Sequence, residues 1–208
     1  DSRTCGVVFT GSTAVARSIQ LNQAQKKGAP DCPIEPLLAE TGGINAMIVD
    51  SSALPEQAVL DILTSAFGSA GQRCSSLRVL YLQEEAAERI LTLLKGAIAT
   101  LSIGNPAKLS TDMGPLIDKE AYKKCVTAES QLQEKEQKGK ARLIYRCALP
   151  LDLGTTGYFF PPQVWEVSEF PTEEIFGPLL QVIRYQPSEL SSVLKTLQST
   201  RYGLTLGI

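Results

Sequence analysis

The sequence of 208 residues is 43% apolar and 20% charged, a composition typical of a globular protein that buries a substantial core. Its net charge of −2 and pI of about 5.4, with Lys and Arg scattered along the chain, argue against binding to nucleic acid or to an anionic membrane. No apolar run approaches the roughly 20 residues of a membrane-spanning helix, and residues 1–5 lack the profile of a signal peptide. We therefore expect a cytoplasmic protein whose ligand is a small molecule.

Apolar periodicity predicts strands that alternate with helices along the chain. The predicted strands are residues 7–9, 37–40, 46–49, 77–82, 142–146, 159–167, 179–185 and 204–208. The predicted helices are residues 14–21, 55–67, 84–101, 118–138 and 190–197, the second capped by Ser52 and the third burying Ile90, Leu91, Leu94 and Ile98. This alternation indicates an α/β fold with a largely parallel sheet.

Both ends of the sequence lie beside or inside a predicted strand. Residue 1 stands just before the strand at 7–9, and the sequence stops within the strand that begins at 204. A strand interrupted in this way lacks part of its pairing, so we expect the sequence to be a piece of a longer protein.

The cysteines are Cys5, Cys32, Cys74, Cys125 and Cys147, and the sequence contains no histidine. Their odd number, wide spacing and lack of a C-x-x-C pair argue against a disulfide framework and against a metal site. The absence of histidine excludes Ser-His and Cys-His catalysis, so a nucleophile in this chain needs another base.

Cys74 is the cysteine with the most reactive predicted setting. It lies in the segment 69–76, which joins the helix that begins near Pro55 to the strand at 77–82. A thiol in a glycine-containing junction, next to Arg73, can be partly exposed and have its thiolate favoured by the neighbouring charge. A small buried apolar cysteine is the alternative, and composition alone favours it.

Glu40 stands at the end of a predicted buried strand, directly before Thr41-Gly42-Gly43. A carboxylate rarely ends such an apolar run without a partner or a purpose, and a general base is one purpose. A surface Glu or an ion pair is the alternative, which propensity alone favours.

Four short segments together resemble the aldehyde dehydrogenase superfamily, in this order and at similar spacing. They are residues 9–13 (FTGST), 40–43 (ETGG), 71–74 (GQRC) and 174–178 (EIFGP), and the last of them alone would be an ordinary loop before a strand. Residues 39–54 and 69–82 are more specifically similar to the L-glutamate γ-semialdehyde (delta-1-pyrroline-5-carboxylate) dehydrogenase module of bacterial bifunctional proline-utilisation flavoproteins.

The resemblance implies a fold, a domain division and a reaction. The fold would be a three-layer α/β catalytic domain at residues 42–208, incomplete at its end, and the tail of a Rossmann-like NAD-binding domain at residues 1–41. The reaction would be NAD-dependent oxidation of L-glutamate γ-semialdehyde to glutamate in proline degradation. FAD would belong only to a separate proline dehydrogenase domain outside this chain, and the parent protein is expected to be a homo-oligomer.

In the reaction that the resemblance implies, two residues are catalytic. Cys74 would attack the aldehyde carbon to give a thiohemiacetal and then a thioester, and Glu40 would activate the water that releases the acid. The backbone N–H of Cys74 would hold the oxyanion, in keeping with the need for donors at developing charge.

The resemblance also implies binding residues. Gly11 and Ser12 would lie where the cofactor pyrophosphate approaches a helix N-terminus. Glu174 would bind the nicotinamide ribose hydroxyls, and Phe176 would help to wall the nicotinamide pocket. Arg73 and Ser75 would contact the α-carboxylate of the substrate, a task for which an Arg fork is suited.

Three alternatives remain open at this point. The chain could be an aldehyde dehydrogenase for another substrate class, an acylating relative, or a non-catalytic structural piece. Glu40 argues against the acylating type, since a water-activating base serves hydrolysis. The upstream asparagine that completes the family's oxyanion hole lies outside the sequence, so we expect the 208 residues alone to be inactive.

Overall fold

Two units make up the chain, Asp1–Gly43 and Ile44–Ile208. The structure, a computed structural model, describes residues 4–26, 35–153, 157–200 and 202–208. Cys32 falls outside the described residues, whereas every predicted strand and helix falls inside them.

The first unit contains a strand, a helix and a second strand. Strand β1 is Val7–Gly11, helix α1 is Thr13–Lys26 and strand β2 is Leu37–Thr41. The two strands pair in parallel, with Val7 opposite Leu37 and Gly11 opposite Thr41. Parallel neighbours need a crossover connection, which α1 supplies.

Strand β2 is more exposed than its apolar sequence predicts. Leu38 is 63% exposed, and Ala39 and Glu40 are exposed as well. The prediction of a buried strand at residues 37–40 is therefore wrong within this structure. A two-stranded sheet accompanied by one helix can have only one of its faces covered, so the other face meets solvent.

The second unit is built on a six-stranded sheet. Its strands are β3 (Asn45–Val49), β4 (Leu77–Gln83), β5 (Ala141–Arg146), β6 (Gln163–Val167), β7 (Leu179–Tyr185) and β8 (Leu206–Gly207). Its helices are α2 (Pro55–Phe67), α3 (Glu84–Ala99), α4 (Lys119–Gln137) and α5 (Leu190–Ser199). The strand order is β5-β6-β7-β4-β3-β8, with β5 antiparallel to β6 and all other pairs parallel. The predicted α/β class with a largely parallel sheet is thus confirmed.

Helices pack on both faces of this sheet, which gives three layers. Leu80 and Leu82 of β4 join the apolar cluster formed with α2 and α3, including the buried residues Ile90, Leu91, Leu94 and Ile98. Val79 and Tyr81 alternate with them and pack in the cluster that contains Val193 of α5. Alternate burial on the two sides explains why β4 reads as a continuous apolar run.

The predicted cap of α2 is wrong. The N-cap residue is Leu54, which makes no capping hydrogen bond through its side chain, and Pro55 begins the helix. Ser52 instead donates its hydroxyl to Oδ1 of Asp50 at 2.7 Å. This bond, with the Ser52 backbone N–H, lowers the pKa of Asp50. The Ser52 side chain thus bonds to the Asp50 carboxylate, two residues earlier, and not to the N-terminus of α2.

Strand β6 begins four residues later than predicted, at Gln163 rather than at residue 159. Pro161 and Pro162 have no N–H to donate to a sheet ladder. The carbonyl oxygen of Pro162 still accepts the N–H of Cys147 at 3.0 Å.

Within the described ranges, none of the helices has the length and apolar character needed to cross a membrane.

Candidate active site

Cys74 is an exposed residue of the loop at residues 68–76, which joins the end of α2 to the start of β4; we call this loop the Cys74 loop. Cys74 and Cys5 are exposed, whereas Cys125 and Cys147 are buried. A thiol must be accessible to attack a substrate, and Cys74 meets that condition.

Left-handed backbone shapes the first half of the Cys74 loop. Ser69 and Ala70 both have φ of 54°, and Gly71 has φ of 65°. Each non-glycine residue in this region costs about 1–2 kcal/mol, so the surrounding structure must hold the turn in place. Gly71 is also a contact point, because a Cβ atom there would collide with the carbonyl oxygen of Gly177.

Asn45 anchors the second half of the Cys74 loop from β3. Its side chain is buried, and its Nδ2 donates to the carbonyl oxygens of Cys74 at 2.6 Å and Ser76 at 3.0 Å. Two backbone acceptors on either side of Ser75 are thereby tied to the sheet.

Arg78 anchors the loop from β4. Its Nη1 donates to the carbonyl oxygen of Gly71 at 2.6 Å, and its Nη2 donates to that of Arg73 at 3.0 Å. Nη2 also forms a 3.0 Å ion pair with Oε1 of Glu174. Burial lowers the pKa of the Arg78 guanidinium, and the neighbouring Glu174 carboxylate opposes that effect. Arginine stays charged even so, because its ordinary pKa is far above neutrality.

A register shift between β3 and β4 places both anchors. Asn45 pairs with Leu77 and Ala46 pairs with Val79, so the ladder skips Arg78. An extra residue of this kind bends the strand locally and re-aims a side chain. Asn45 and Arg78 therefore both lie where the regular β3–β4 pairing is interrupted, and from there both side chains bond to the Cys74 loop.

The backbone N–H of Cys74 has no acceptor among the described residues. The carbonyl oxygens of Gly71, Arg73, Cys74 and Ser76 all accept hydrogen bonds from Asn45 or Arg78. These hydrogen bonds hold the backbone of the loop in place. The Cys74 N–H can then donate to a developing oxyanion.

Residues 174–178, which we call the Glu174 loop, lie directly before β7. Oε1 of Glu174 accepts from Nε and Nη2 of Arg78, at 3.3 and 3.0 Å, whereas Oε2 accepts no hydrogen bond within the described residues. Phe176 is 42% exposed, and the centroid of its ring lies 5.0 Å from the Arg78 guanidinium carbon. One carboxylate oxygen and one aromatic face are thus available to a ligand.

The Glu174 loop is also packed against α4. A Cβ atom on Gly177 would collide with Sγ of Cys125, and this thiol lies 4.0 Å from the carbonyl oxygen of Phe176. Burial raises the pKa of Cys125 to about 11. Cys125 is therefore a protonated packing residue at neutral pH, in contrast to exposed Cys74.

Arg73 and Ser75 line one cleft of about 310 Å³, together with Asp61 and Thr64 of α2. Nε of Arg73 donates to Oγ of Ser69 at 3.0 Å, which orients the guanidinium along the loop. The two residues predicted to contact a substrate carboxylate share this cleft, and Asp61 adds a negative charge to it.

Gly11, Ser12 and Glu40 belong to the first unit. Gly11 ends β1 under the ring of Phe9, whose Cζ would lie 2.5 Å from a Cβ atom at that position. Ser12 precedes α1, and its Oγ accepts the N–H of Val15 at 3.3 Å. Glu40 is exposed and pairs with Thr10 in the β1–β2 register. The strand, glycine turn and helix start expected of a phosphate-binding turn are therefore present.

Sequence reasoning missed Asn45, Arg78 and Gly177. The one available signal was Arg78, a charged residue inside the apolar run of β4, because such a residue is seldom buried without a partner. Asn45 and Gly177 gave no comparable signal, since their contacts lie 29 and more residues away along the chain.

Sequence comparison identifies the family of the chain. The aldehyde dehydrogenase family profile matches residues 1–208. The chain is 47% identical over 214 residues to the bifunctional protein PutA of Klebsiella aerogenes, and 46% identical over 212 residues to that of Escherichia coli strain K12. Each alignment covers 100% of this chain but 16% of the relative's length.

Solved structures show the same fold. A mutant of Bradyrhizobium japonicum proline utilization A (PutA) matches 99% of this chain and 20% of its own, with a TM-score of 0.88 and 47% identity. The delta-pyrroline-5-carboxylate dehydrogenase of Mycobacterium tuberculosis, bound with NAD and cobalamin, matches 99% of this chain and 36% of its own, with a TM-score of 0.83 and 27% identity. The chain belongs to the aldehyde dehydrogenase family and corresponds to a segment of a PutA-like protein.

Proposed function

We propose that the protein oxidises L-glutamate γ-semialdehyde to glutamate with NAD, as the aldehyde dehydrogenase part of a proline-degrading enzyme. The observation that carries the proposal is the exposed Cys74 on a loop whose carbonyl oxygens are held by the buried donors Asn45 and Arg78. Arg78 also binds Glu174, whose Oε2 accepts no hydrogen bond from the described residues. The 44–47% identity to PutA proteins supports the substrate class.

Cys74 is the nucleophile in this proposal. Its thiolate attacks the aldehyde carbon, the carbonyl oxygen becomes an oxyanion, and the free N–H of Cys74 donates to that oxygen. Loss of hydride from the same carbon then leaves the acyl group on Cys74 as a thioester.

Glu40 is the general base. Its carboxylate takes a proton from water, the hydroxide adds to the thioester carbon, and the thiolate of Cys74 leaves as glutamate forms. Glu40 is exposed at the end of β2, which keeps it accessible to water.

NAD is the cofactor that fits the residues present. Glu174 would hold the ribose hydroxyls through Oε2, and Phe176 would offer its exposed ring to the nicotinamide. Gly11 and Ser12 precede a helix N-terminus suited to a pyrophosphate. The chemistry that bound NAD supplies is acceptance of the hydride.

Arg73 and Ser75 select the substrate in this proposal. A guanidinium and a hydroxyl on one cleft can bind a carboxylate, which distinguishes glutamate γ-semialdehyde from an uncharged aldehyde. An aldehyde dehydrogenase of another substrate class is the second candidate, favoured by Asp61, whose negative charge on the same cleft opposes a carboxylate.

The setting of the activity is also proposed. Residues 1–41 would belong to the NAD-binding domain, which also carries Glu40, and residues 42–208 to the catalytic domain, within a cytoplasmic homo-oligomer. The chain spans 16% of the length of the PutA relatives, and we expect the 208 residues alone to be inactive.

NADH formation from NAD and glutamate γ-semialdehyde tests the proposal, measured on the full-length protein and its Cys74→Ala variant. Loss of a covalent nucleophile is expected to lower kcat by at least about 10⁴-fold. Cys5→Ala is the matched control, because Cys5 is the other exposed cysteine among the described residues, and its activity is expected to be unchanged.

The substrate assignment is tested with pentanal, which has the same chain length and no charged group. Arg73→Met and Ser75→Ala are expected to lower kcat/KM for the semialdehyde by about 10-fold or more, with little effect on pentanal. Equal loss on both substrates would contradict the carboxylate role, and oxidation of pentanal alone by the wild type would favour the second candidate.

A further inference from the structure

Arg78 makes hydrogen bonds to two separate loops of the candidate site, beyond its own strand β4. Its side chain is 3% exposed, and it donates to carbonyl oxygens at Gly71 and Arg73 and to the carboxylate of Glu174. Gly71 and Arg73 are within seven residues of Arg78, whereas Glu174 is 96 residues away along the chain. One guanidinium therefore joins the Cys74 loop to the Glu174 loop.

We propose that Arg78 is a positioning residue that holds the Cys74 loop and the Glu174 loop in one fixed arrangement. This inference rests on the proposed function, in which Cys74 is the nucleophile and Glu174 binds the cofactor ribose. In this proposal Arg78 acts through its hydrogen bonds to the carbonyl oxygens of Gly71 and Arg73 and to Glu174, and not through contact with the substrate.

The planar fork of arginine suits this task. Nη1 and Nη2 bind the two carbonyl oxygens, while Nε and Nη2 grip Oε1 of Glu174. Glu174 is thereby oriented with Oε2 unbonded by any described residue, and the centroid of the Phe176 ring lies 5.0 Å from the guanidinium carbon. A lysine keeps the charge, but its donors all lie on one nitrogen instead of a planar fork. It therefore cannot reach all three acceptors at once.

Direct contact between the two loops makes them sensitive to this link. Gly71 approaches the carbonyl oxygen of Gly177 so closely that no Cβ atom fits between them. A shift of either loop is then passed to the other, and displacement of catalytic groups by about 1 Å can cost about 100-fold in rate.

The experiment compares Arg78→Lys with Arg184→Lys in the full-length protein. Arg184 is the matched control, because it is a largely buried arginine of the same sheet, on β7, paired with Glu84 at 3.0 Å. It stands opposite Leu82 in the register, towards the other end of β4. We expect Arg78→Lys to lower kcat by about 100-fold and to raise KM for NAD by about 10-fold, and Arg184→Lys to change neither.

Unchanged kcat and KM in a folded Arg78→Lys variant, with Cys74→Ala inactive, would overturn the role of Arg78 alone. An active Cys74→Ala variant is a different result, because it would overturn the proposed function itself.

A second measurement does not require the Arg78→Lys variant to fold. Glu174→Gln removes the charge that holds the guanidinium, so the rate at which iodoacetamide alkylates Cys74 without cofactor is expected to change at least about 3-fold. An unchanged alkylation rate would show that the two loops are not coupled and would overturn the inference.

Discussion

The side-chain amide of Asn45 donates to the carbonyl oxygen of Cys74 at 2.6 Å, from the first residue of β3 to the loop before β4. The same amide nitrogen donates to Ser76 at 3.0 Å. The backbone of the candidate nucleophile is thus fixed by a buried neutral donor, independently of the charged contacts that Arg78 makes.

Replacement of Asn45 by Ala is expected to lower the free energy of local opening of the Cys74 loop by about 2 kcal/mol, since two buried carbonyl oxygens lose their donor. Asn45→Asp is expected to cost more, because a carboxylate would face two carbonyl oxygens. Hydrogen exchange of the peptides that cover residues 68–83 measures the change. Asn105→Ala, at an exposed asparagine, is the control, and equal protection in Asn45→Ala and Asn105→Ala would contradict the anchoring role.

Gly71→Ala is expected to destabilise the folded protein by more than about 2 kcal/mol, because it combines a left-handed φ with a collision against the Gly177 carbonyl oxygen. Gly68→Ala is the matched control in the same turn, since a Cβ atom there meets nothing within 4 Å. Its effect is expected within about 0.5 kcal/mol. Thermal unfolding of the two variants is the measurement, and equal midpoints would show that the close contact is absent in solution.

The four cysteines of the described residues are expected to react unequally with iodoacetamide in the folded protein. An activated Cys74 should react at least about 10-fold faster than Cys5, the other exposed thiol. With a pKa of about 11, Cys125 has about one thiolate per thousand molecules at pH 8 and is buried, so it should remain unmodified. Peptide mass spectrometry after short exposure checks the order, with the urea-unfolded protein as the control in which the differences vanish.

The raised pKa of Cys125 also predicts alkaline sensitivity. The folded state keeps the thiol proton that the unfolded chain loses near pH 9.0, so the contribution to stability is complete below pH 9.0 and falls as pH rises towards about 11. Urea unfolding between these pH values should show a smaller decline in Cys125→Ala than in the wild type. An identical decline in both proteins would contradict the burial of this thiol.

Glu40→Gln is expected to block hydrolysis of the thioester while leaving its formation intact. NADH should then appear in a single burst of about one equivalent per active site, with the acyl group retained on Cys74. Rapid-quench kinetics and the mass of the Cys74 peptide measure both quantities. Glu35→Gln, at another glutamate of the first unit, should turn over continuously; continuous turnover by Glu40→Gln would assign the base elsewhere.

Most of the architecture could be predicted because periodicity reports local burial. The helix α3 shows this, since its buried residues Ile90, Leu94 and Ile98 recur at helical spacing. Errors arose where two local interactions compete. Ser52 binds Asp50 instead of capping α2. Both interactions are compatible with its place in the sequence, so the sequence alone does not distinguish them.

The candidate site was only partly predictable from its sequence. Cys74 could be proposed because it lies in a glycine-containing junction beside Arg73, within one of the four segments that resemble the family. The contacts of the buried donors Asn45 and Arg78 with the loop could not be predicted, because their placement depends on a ladder that skips Arg78 between β3 and β4. A register shift is a property of two paired strands, so a pattern read along one strand cannot reveal it.

The close packing of Gly71, Gly177 and Cys125 makes tolerance at these positions interdependent. A Cβ atom on Gly177 collides with Sγ of Cys125 but would lie 3.9 Å from Cβ of the same residue, an ordinary contact. Gly177→Ala should therefore be harmful in the wild type and nearly neutral beside Cys125→Ala. Gly71 has no such compensating partner, because the group that it meets is backbone. Alanine at position 177 is thus most accessible to evolution along a path that first removes the Cys125 thiol on α4.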